Sequence, residues 1–394
     1  MSVAPVQANG IIQKMLIEGR TNRPLSGLKF AVKDNFDIEG FVTGAGNPDW
    51  ISTHKPAEAT APAVKVMLAQ GATLVGKTMT DELAFSLDGV NVHYGSACNP
   101  AYPSCITGGS SAGSAAAVAC GFVDFSLGTD TGGSVRIPAS FCGIYGMRPT
   151  YGRISTEGVV PLTPTCDTVG WFARDAETLE KCGLVLLEER TNKQAPKPKR
   201  ILIAKDAFQV VSPEIREEID RALHTVSTNF TATQTISLSE LEFDEFPKCF
   251  RIIQGWEAWR CHGAWIKECA PRFGQAIEER FLFASQVSES DFLQARSFMQ
   301  ELRRKGADLL ADDDILCLPT AWHEPRPKAA SPEECMLHRS QNMKLTTMAS
   351  LLGTPQVNVP IKGKHGPLGL SFLAQRNQDD LLLRLCRELD ATSL

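Results

Sequence analysis

Apolar residues recur along this chain at two spacings, one typical of amphipathic helices and one typical of short strands. Residues 5–20 place Ile11, Ile12, Met15 and Leu16 near helical spacing. Because these side chains would share one face of a helix, the pattern predicts an amphipathic helix at this end of the chain.

A helix with clear start and stop signals is predicted next. Thr60 is suited to the N-cap, Pro62 falls in the first turn, and Gly71 is suited to the C-terminal cap. A further helix start is predicted at residues 80–83. Helical spacing predicts other helices at residues 135–144, 213–226, 295–309, 341–352 and 381–389. Short apolar runs predict strands at residues 30–32, 72–75, 122–127, 201–204, 314–318, 356–359 and 368–372.

Helices alternate with strands in the first part of the chain, which predicts an α/β fold. Residues 245–310 hold several helices and no strand signal, so the late strands are expected to join the same sheet as the early ones. The polar and basic residues 189–200 predict an exposed connection. We therefore expect one domain over residues 1–394, a central mixed β-sheet surrounded by α-helices. The helical region at about 205–310 is expected to cover the substrate side.

Composition and charge narrow the class of protein. The 394 residues are 43% hydrophobic and 22% charged, with a net charge of −5 and no long run of one sign. Nucleic acid and anionic membranes are therefore not expected as partners. No apolar run approaches the roughly 20 residues of a membrane-spanning helix, and no signal peptide is evident. The twelve cysteines are scattered without metal spacing, which favours a reducing compartment such as the cytoplasm.

Two glycine–serine loops are the candidate chemical centre. The first, G-G-S-S at residues 108–111, leads into an alanine-rich helix, and the second, T-G-G-S at 131–134, follows a predicted strand. Glycine permits backbone conformations closed to other residues, and it leaves N–H groups free to converge on one oxygen. Our hypothesis is that Ser134 is a nucleophile and that Ser110 links it to a deprotonated Lys33.

Other interpretations of these residues stay open at this point. G-S-S-A-G at residues 109–113 matches the nucleophile elbow of α/β-hydrolases with Ser111 as nucleophile, although no histidine stands in a distinctive loop. The first loop could cradle a phosphate, but it lacks both the Walker and the dinucleotide pattern. S-T-H-K at residues 52–55 fits the S-x-x-K of serine β-lactamases without its partner motifs. Both loops could also be purely structural turns.

The long motifs around these loops resemble those of the amidase signature family. They are AVKDN at residues 31–35, GGSSAGSAAAVA at 108–119, GTDTGGSVRIPA at 128–139 and FCGIYGMRPT at 141–150. The resemblance covers a signature core at about residues 28–175. It implies the amidase signature fold and hydrolysis of a linear amide C–N bond.

The resemblance also implies a role for each matched residue. Ser134 corresponds to the acylated serine, Ser110 to the bridging serine that follows a cis peptide bond, and Lys33 to the general base. The backbone N–H groups of Thr131, Gly132, Gly133 and Ser134 correspond to the oxyanion hole. A lysine acts as a base only when its pKa falls well below about 10.4, which burial after an apolar strand achieves. No metal or organic cofactor is implied.

Two further segments are similar to those of plant indole-3-acetamide amidases, which form the auxin indole-3-acetic acid. They are TGAGNPDW at residues 43–50, predicted to be a loop, and DTVGWFARD at 167–175. The envelope receptors that share them replace the nucleophile and append repeats and an anchor, whereas this chain has Ser134. Amidotransferase subunits and fatty-acid amide hydrolases are more distant alternatives. The expected partner is a small amide. The sequence leaves open whether the chain is a monomer or a homodimer. Pocket aromatic candidates are Trp50, Trp256, Trp259 and Trp322.

Overall fold

The computed structural model describes residues 9–188 and 198–390, and within them eleven strands form one mixed sheet. The strands are β1 (Ile11–Ile17), β2 (Lys29–Lys33), β3 (Thr73–Thr78), β4 (Phe125–Asp130), β5 (Tyr145–Arg148), β6 (Thr168–Ala173), β7 (Arg200–Ala204), β8 (Ala232–Ile236), β9 (Asp314–Pro319), β10 (Gln356–Lys362) and β11 (Pro367–Leu373). Their spatial order is β1-β3-β2-β4-β6-β5-β10-β11-β9-β7-β8.

Helices cover both faces of this sheet. They are α1 (Pro48–Thr53), α2 (Pro62–Ala69), α3 (Ala112–Ala119), α4 (Arg136–Cys142), α5 (Ala176–Leu186), α6 (Lys205–Val210), α7 (Arg216–Ser227), α8 (Phe246–Cys269), α9 (Gln275–Gln286), α10 (Glu289–Ala307), α11 (Pro332–Leu352) and α12 (Asp379–Asp390). None of the helices in the described part of the chain combines the length and apolar character needed to cross a bilayer.

The strands are parallel in two groups and antiparallel elsewhere. β2 lies between β3 and β4 and is parallel to both, and β7 lies parallel to β8 and β9. The neighbouring pairs that join the two groups are antiparallel, from β4–β6 through β10–β11 to β11–β9. Early and late strands therefore share one sheet, and the prediction of a central mixed sheet is confirmed.

Alternation along the strands divides the core between the two faces of the sheet. On β2, Phe30 and Val32 pack in a cluster that includes residues of α2, α5 and α12, whereas Ala31 packs with residues of α3 and α4. On β9, Ile315 contributes to the first face, while Leu316 packs with residues of α8, α10 and α11. Buried apolar side chains on both faces account for the layered fold.

The prediction of a helix over residues 5–20 is wrong where the structure describes it. Residues 11–17 form β1, which pairs antiparallel with β3 at one end of the sheet, while residues 5–8 lie outside the described part. Ile11 is buried and Leu16 is 70% exposed, so one part of the strand packs inward while another faces solvent. Tertiary pairing with β3 therefore outweighs the local helical spacing.

Other local predictions need smaller corrections. The N-cap of α2 is Ala61 and not Thr60, whose hydroxyl accepts the Glu39 N–H at 3.0 Å. The helix start predicted at 80–83 is only a single turn over Glu82–Ala84. The predicted loop at 43–50 already contains the first residues of α1.

One strand in the second half was missed. The strand β8 is almost entirely exposed, so it lacks the apolar alternation that marks half-buried strands. It interrupts the helical region predicted at 205–310, whose later part is helical as expected. Residues 189–197 of the predicted connection lie outside the described residues.

Candidate active site

The carboxyl ends of two parallel strands carry the central side chains of the candidate site. β2 ends at Lys33 and β4 ends at Asp130, with Val32 opposite Leu127 in the ladder. Because side chains alternate along a strand, Lys33 shares a face with Ala31, which packs against α3 and α4. The strand register therefore directs the Lys33 side chain toward the two helices that follow the glycine–serine loops.

Lys33 is fully buried and its contacts are hydroxyl groups. Its Nζ donates to Ser110 Oγ at 2.7 Å and to Thr129 Oγ1 at 2.7 Å. In contrast, the buried Lys77 of β3 forms an ion pair with Asp34 at 3.0 Å. A hydroxyl satisfies a neutral amine as well as a charged one, so the contacts of Lys33 suit an amine that gains and loses a proton.

The surroundings of Lys33 favour its neutral form. Burial lowers the pKa of Lys33 to about 7, although the carboxylates of Asp81, Asp167 and Asp130 act in the opposite direction. A solvated lysine has a pKa of about 10.4. A comparable share of neutral and protonated amine is therefore present near pH 7, which is the condition for a general base.

The loop that carries Ser110 is fixed by backbone contacts. The Gly109–Ser110 peptide bond is cis, and the Gly109 N–H donates to the Leu87 carbonyl at 2.8 Å. The Ser110 carbonyl accepts the Asp81 N–H at 3.2 Å. An added Cβ at Gly109 would lie 2.4 Å from Asp81 Oδ2, so only glycine fits this close approach. These contacts position the Ser110 hydroxyl beside the lysine.

The loop that carries Ser134 is organised around the carboxylate of Asp130. Its oxygens accept the N–H groups of Gly133 and Val135, each at 3.0 Å. They also accept Arg136 Nη2 at 2.7 Å and Arg148 Nη1 at 3.1 Å. Burial acts to raise the pKa of Asp130, but the charges of Arg136 and Arg148 hold it well below its usual range. A permanent carboxylate therefore fixes the loop.

Ser134 lies just before α4 and is 3% exposed. Its carbonyl accepts the Ser111 N–H at 3.2 Å, which joins the two glycine–serine loops. Within residues 9–188 and 198–390, its hydroxyl has no hydrogen-bond partner. The structure thus forms the Lys33–Ser110 link of the predicted relay, and the Ser134 hydroxyl is left available for another group.

The backbone N–H groups assigned to the oxyanion hole differ in their present contacts. The Gly133 N–H is engaged by Asp130, whereas those of Thr131, Gly132 and Ser134 donate to no residue in the described part of the chain. An added Cβ at Gly132 would lie 2.7 Å from the Phe250 ring. Glycine therefore lets α8 close directly over this loop.

A small cavity with polar and apolar walls adjoins the loop. It has a volume of about 60 Å³ and its lining includes Asn35, Thr129, Thr131 and Asp167. The Asn35 Oδ1 atom is buried without a hydrogen-bond partner, and Asp167 accepts the Thr131 hydroxyl at 2.6 Å. The rest of the lining is largely apolar, so the cavity offers both polar and apolar contacts.

The serines of the two alternative motifs, the hydrolase elbow and S-x-x-K, both donate to backbone carbonyls. The hydroxyl of Ser111 donates to the Thr129 carbonyl at 3.2 Å, so its partner is the backbone and not a histidine. Ser52 and Lys55 are exposed, and the Ser52 hydroxyl donates to the Asp49 carbonyl within α1 at 2.9 Å. Neither arrangement resembles an activated serine.

The four candidate tryptophans lie outside the lining of the small cavity. Trp50 stacks on His54 with ring centroids 3.8 Å apart, and Trp256 stacks on Phe292 at 5.2 Å. Trp259 lies beneath the ammonium of Lys267, and Trp322 lines a separate surface groove of about 800 Å³. Packing therefore accounts for Trp50, Trp256 and Trp259, whereas Trp322 lines the groove.

Several residues of the site had no role assigned from the sequence. Thr129 is the second partner of Lys33, Asp130 fixes the Ser134 loop, and Arg136 and Arg148 balance its charge. All four stand inside the quoted motifs, but a motif does not reveal which side chains meet. The carboxylate of Asp81, near the Ser110 loop, has no distinguishing local pattern.

The chain matches known proteins over most of its length. The family model described as Amidase matches residues 5–383. "Amidase 1" of Arabidopsis thaliana is 38% identical over 93% of this chain and 93% of its own length. "Outer envelope protein 64, chloroplastic" of Arabidopsis thaliana is 37% identical over 91% of this chain and 65% of its own length.

The fold of the chain also matches that of solved structures. A protein described as "Crystal structure of amidase" superposes with a TM-score of 0.86 and 30% identity, covering 95% of this chain and 86% of that chain. The match extends well beyond the signature core at about residues 28–175 and includes the helical region that follows it.

Proposed function

Because this chain belongs to the amidase family, whose members act on amide C–N bonds, we propose that it hydrolyses a small primary amide through an acyl-enzyme on Ser134. The observation that carries the proposal is the contact of 2.7 Å between Lys33 Nζ and Ser110 Oγ, deep in the protein and beside the Ser134 loop. In this proposal Lys33 is the base, Ser110 the relay and Ser134 the nucleophile.

Acylation begins with the neutral amine. Ser110 gives its proton to Lys33 and takes the proton of Ser134, whose oxygen forms a bond to the amide carbon. The oxyanion that develops accepts hydrogen bonds from backbone N–H groups of the Ser134 loop. Thr131, Gly132 and Gly133 remain the proposed donors, and of these the first two have free N–H groups within the described residues.

The same relay then runs in reverse. The Lys33 ammonium returns a proton through Ser110 to the leaving nitrogen, the C–N bond breaks, and ammonia departs. A water molecule adds to the ester carbon while its proton passes to Lys33. Breakage of the C–O bond, with a proton returned to Ser134, releases the acid and restores the starting state.

Indole-3-acetamide is the first substrate to test. Support comes from residues 43–50 and 167–175, which are similar to segments of plant indole-3-acetamide amidases, and from the 38% identity to Amidase 1 of Arabidopsis thaliana. The products would be indole-3-acetic acid and ammonia, a reaction of auxin biosynthesis. We also propose a cytoplasmic location without nucleic-acid or membrane partners, which subcellular fractionation of the tagged protein tests.

An ammonia-release assay tests the activity. The purified protein is incubated with indole-3-acetamide, phenylacetamide, benzamide and a long-chain fatty amide, and Ser134→Ala serves as the blank. Turnover of the first two above the blank supports the proposal, and release that persists in Ser134→Ala removes the assigned nucleophile.

A second candidate function is that of a binding protein with an inactive amidase fold. The observation that favours it is the 37% identity to outer envelope protein 64, of which the aligned part spans 65%. A fluorophosphonate probe followed by mass spectrometry separates the two functions. An adduct on Ser134 supports the enzyme, whereas folded protein without an adduct supports the binding role.

A further inference from the structure

A buried carboxylate lies beside the Ser110 loop and has no part in the relay described above. Asp81 is fully buried, and its Oδ2 atom accepts the Gly89 N–H at 3.0 Å. Its Oδ1 atom is buried without a hydrogen-bond partner in the described part of the chain. The nearby Ser86 hydroxyl donates instead to Asp88 Oδ2 at 3.1 Å. A buried carboxylate with an unsatisfied oxygen is unfavourable, so a compensating positive charge is expected nearby.

The Asp81 carboxylate and the Lys33 amine lie against the same dipeptide. Asp81 Oδ2 is so close to Gly109 that an added Cβ there would overlap it, and the Asp81 N–H donates to the Ser110 carbonyl at 3.2 Å. Lys33 Nζ donates to the Ser110 hydroxyl at 2.7 Å. Among the described residues the two charged groups form no direct ion pair. They therefore share the cis turn between Gly109 and Ser110, in a place where both are closed off from solvent.

The other carboxylates near Lys33 already have partners. Asp130 is paired with two arginines. Both oxygens of Asp167 accept hydrogen bonds, one from a threonine hydroxyl and the other from two backbone N–H groups. Asp34, which follows Lys33 in the chain, has its own lysine partner on β3. In the described part of the chain, Asp81 is thus the carboxylate near Lys33 that keeps an oxygen without a partner.

The pKa values of both groups agree with an interaction between them. Burial lowers the pKa of Lys33 to about 7, and Asp81 is the strongest of the charges that oppose this change. Burial raises the pKa of Asp81 to about 6, against a backbone hydrogen bond and the charge of Lys33, while Asp88 adds to the rise. The charge of Asp81 also raises the pKa values of Arg280 and Arg339, against the effect of their burial. Charges buried in this way are only weakly screened by salt, so they act on one another without direct contact.

We propose that Asp81 is a positioning residue that acts through Lys33, its carboxylate stabilising the ammonium that forms when Lys33 takes the proton of Ser134 by way of Ser110. This inference rests on the proposed function for the role of Lys33. The relay separates charge, because a fully buried amine becomes positive while negative charge develops on the substrate oxygen. Burial alone penalises that ammonium, and a carboxylate fixed against the same loop offsets the penalty. Asp81 itself gains and loses no proton during the reaction.

The pH profile of a variant without this charge tests the proposal. Asp81→Asn keeps the size of the side chain and an acceptor for the Gly89 N–H. Loss of a nearby carboxylate lowers the pKa of Lys33, so we expect the acidic limb of kcat/KM to move to lower pH by about one unit. The plateau at higher pH should fall about tenfold or more, because Lys33 becomes a weaker base. Asp81→Glu keeps the charge and should return the limb toward its wild-type position.

The matched control is Asp379→Asn, which removes another fully buried carboxylate, one that accepts the N–H and the hydroxyl of Thr150. It should leave the midpoint of the acidic limb unchanged. If Asp81→Asn does not fold, Asp81→Ser supplies a smaller neutral side chain whose hydroxyl can accept the Gly89 N–H, and the same shift is expected. A lower plateau with an unmoved limb would show that Asp81 only supports the loop and would overturn the proposal.

A direct titration of Lys33 distinguishes this inference from the proposed reaction. With lysine labelled by carbon-13 at Cε, NMR spectra report the protonation of each amine, and Lys33→Met identifies the Lys33 signal. We expect the titration midpoint of Lys33 to be lower in Asp81→Asn than in the wild-type and Asp379→Asn proteins. That shift without ammonia release from any amide would support the role of Asp81 and overturn the proposed function. Ammonia release with equal Lys33 midpoints in Asp81→Asn and the wild-type protein would overturn the role of Asp81 and leave the proposed function standing.

Discussion

The side-chain nitrogen of Lys33 lies 2.7 Å from the hydroxyl oxygen of Ser110, and the sequence separates the two residues by 77 positions. The contact forms because β2 ends beside the cis turn that leads into α3. Lys77 is also buried, on the neighbouring strand β3, but it has a carboxylate partner in Asp34. Of these two lysines on adjacent strands, Lys77 contacts a carboxylate, whereas Lys33 contacts only hydroxyl groups and therefore suits a general base.

Removal of the relay should abolish most of the activity. We expect Ser134→Ala, Lys33→Ala and Ser110→Ala each to lower kcat by about two to four orders of magnitude, because each breaks the proton path. Ammonia release under saturating substrate measures the effect. Ser111→Ala is the matched serine control, since that hydroxyl donates to the Thr129 carbonyl, and it should retain most of the turnover. The reverse outcome, with Ser111 essential and Ser134 dispensable, would favour the elbow mechanism.

Activity should rise with pH through neutrality. The pKa of Lys33 is lowered to about 7, so the amine is increasingly protonated below that pH and cannot accept a proton. We expect kcat/KM to fall about tenfold per pH unit well below pH 7 and to level off above about pH 8. A pH profile with a stable neutral amide measures this limb. A flat profile from about pH 5 to 9 would exclude Lys33 as the titrating base.

The lowered pKa of Lys33 should also make the stability of the protein depend on pH. Folding lowers the pKa of Lys33, so between about pH 7 and 10.5 the unfolded chain binds more protons than the folded protein. The free energy of unfolding contributed by this group therefore rises across that window and is constant below it. We expect the free energy of unfolding of Lys33→Met to exceed that of the wild-type protein by the largest margin near about pH 6. At about pH 9 the margin should be smaller.

Urea unfolding at both pH values measures this difference. An advantage of Lys33→Met that is equal at the two pH values would show that Lys33 has the same protonation state folded and unfolded. Lys199→Met is the control, because that lysine is solvent-exposed on the surface and contributes no burial penalty.

Loss of the Asp130 carboxylate should be costly for stability. Asp130→Asn leaves two buried guanidinium groups, Arg136 and Arg148, without their counter-charge, which typically costs about 3–5 kcal/mol. Urea unfolding at neutral pH measures the effect. Asp124→Asn removes a partly exposed carboxylate that lies 3.7 Å from Arg174, and we expect it to cost about 1 kcal/mol or less. Similar losses for both variants would contradict the central role of Asp130.

The close approach of α8 to the Ser134 loop can be tested by steric rescue. An added Cβ at Gly132 would lie 2.7 Å from the Phe250 ring, so Gly132→Ala should displace the loop and lower kcat by about tenfold or more. Combining it with Phe250→Leu removes the ring and should recover part of the rate. A double variant as slow as Gly132→Ala alone would place the defect in the loop backbone and not in the contact with α8.

Local patterns predicted much of the architecture. The strand β9, a buried apolar run, was predicted within one residue of its bounds, because complete burial leaves a strong signal. The more polar strand β4 was predicted three residues too early. The exposed strand β8 left none, and β1 had helical spacing although it pairs with β3. Pairing between distant segments decided these two elements, and local spacing does not record such pairing.

The order of residues along the chain was enough to indicate the family, the succession of a lysine and two serines, and the glycines that allow their loops to form. Folding was needed to reveal the lowered pKa of Lys33 and the carboxylate of Asp130 at the centre of the Ser134 loop. These properties are set by burial and by the distances between charges. Both depend on segments far apart in the chain that fold against one another.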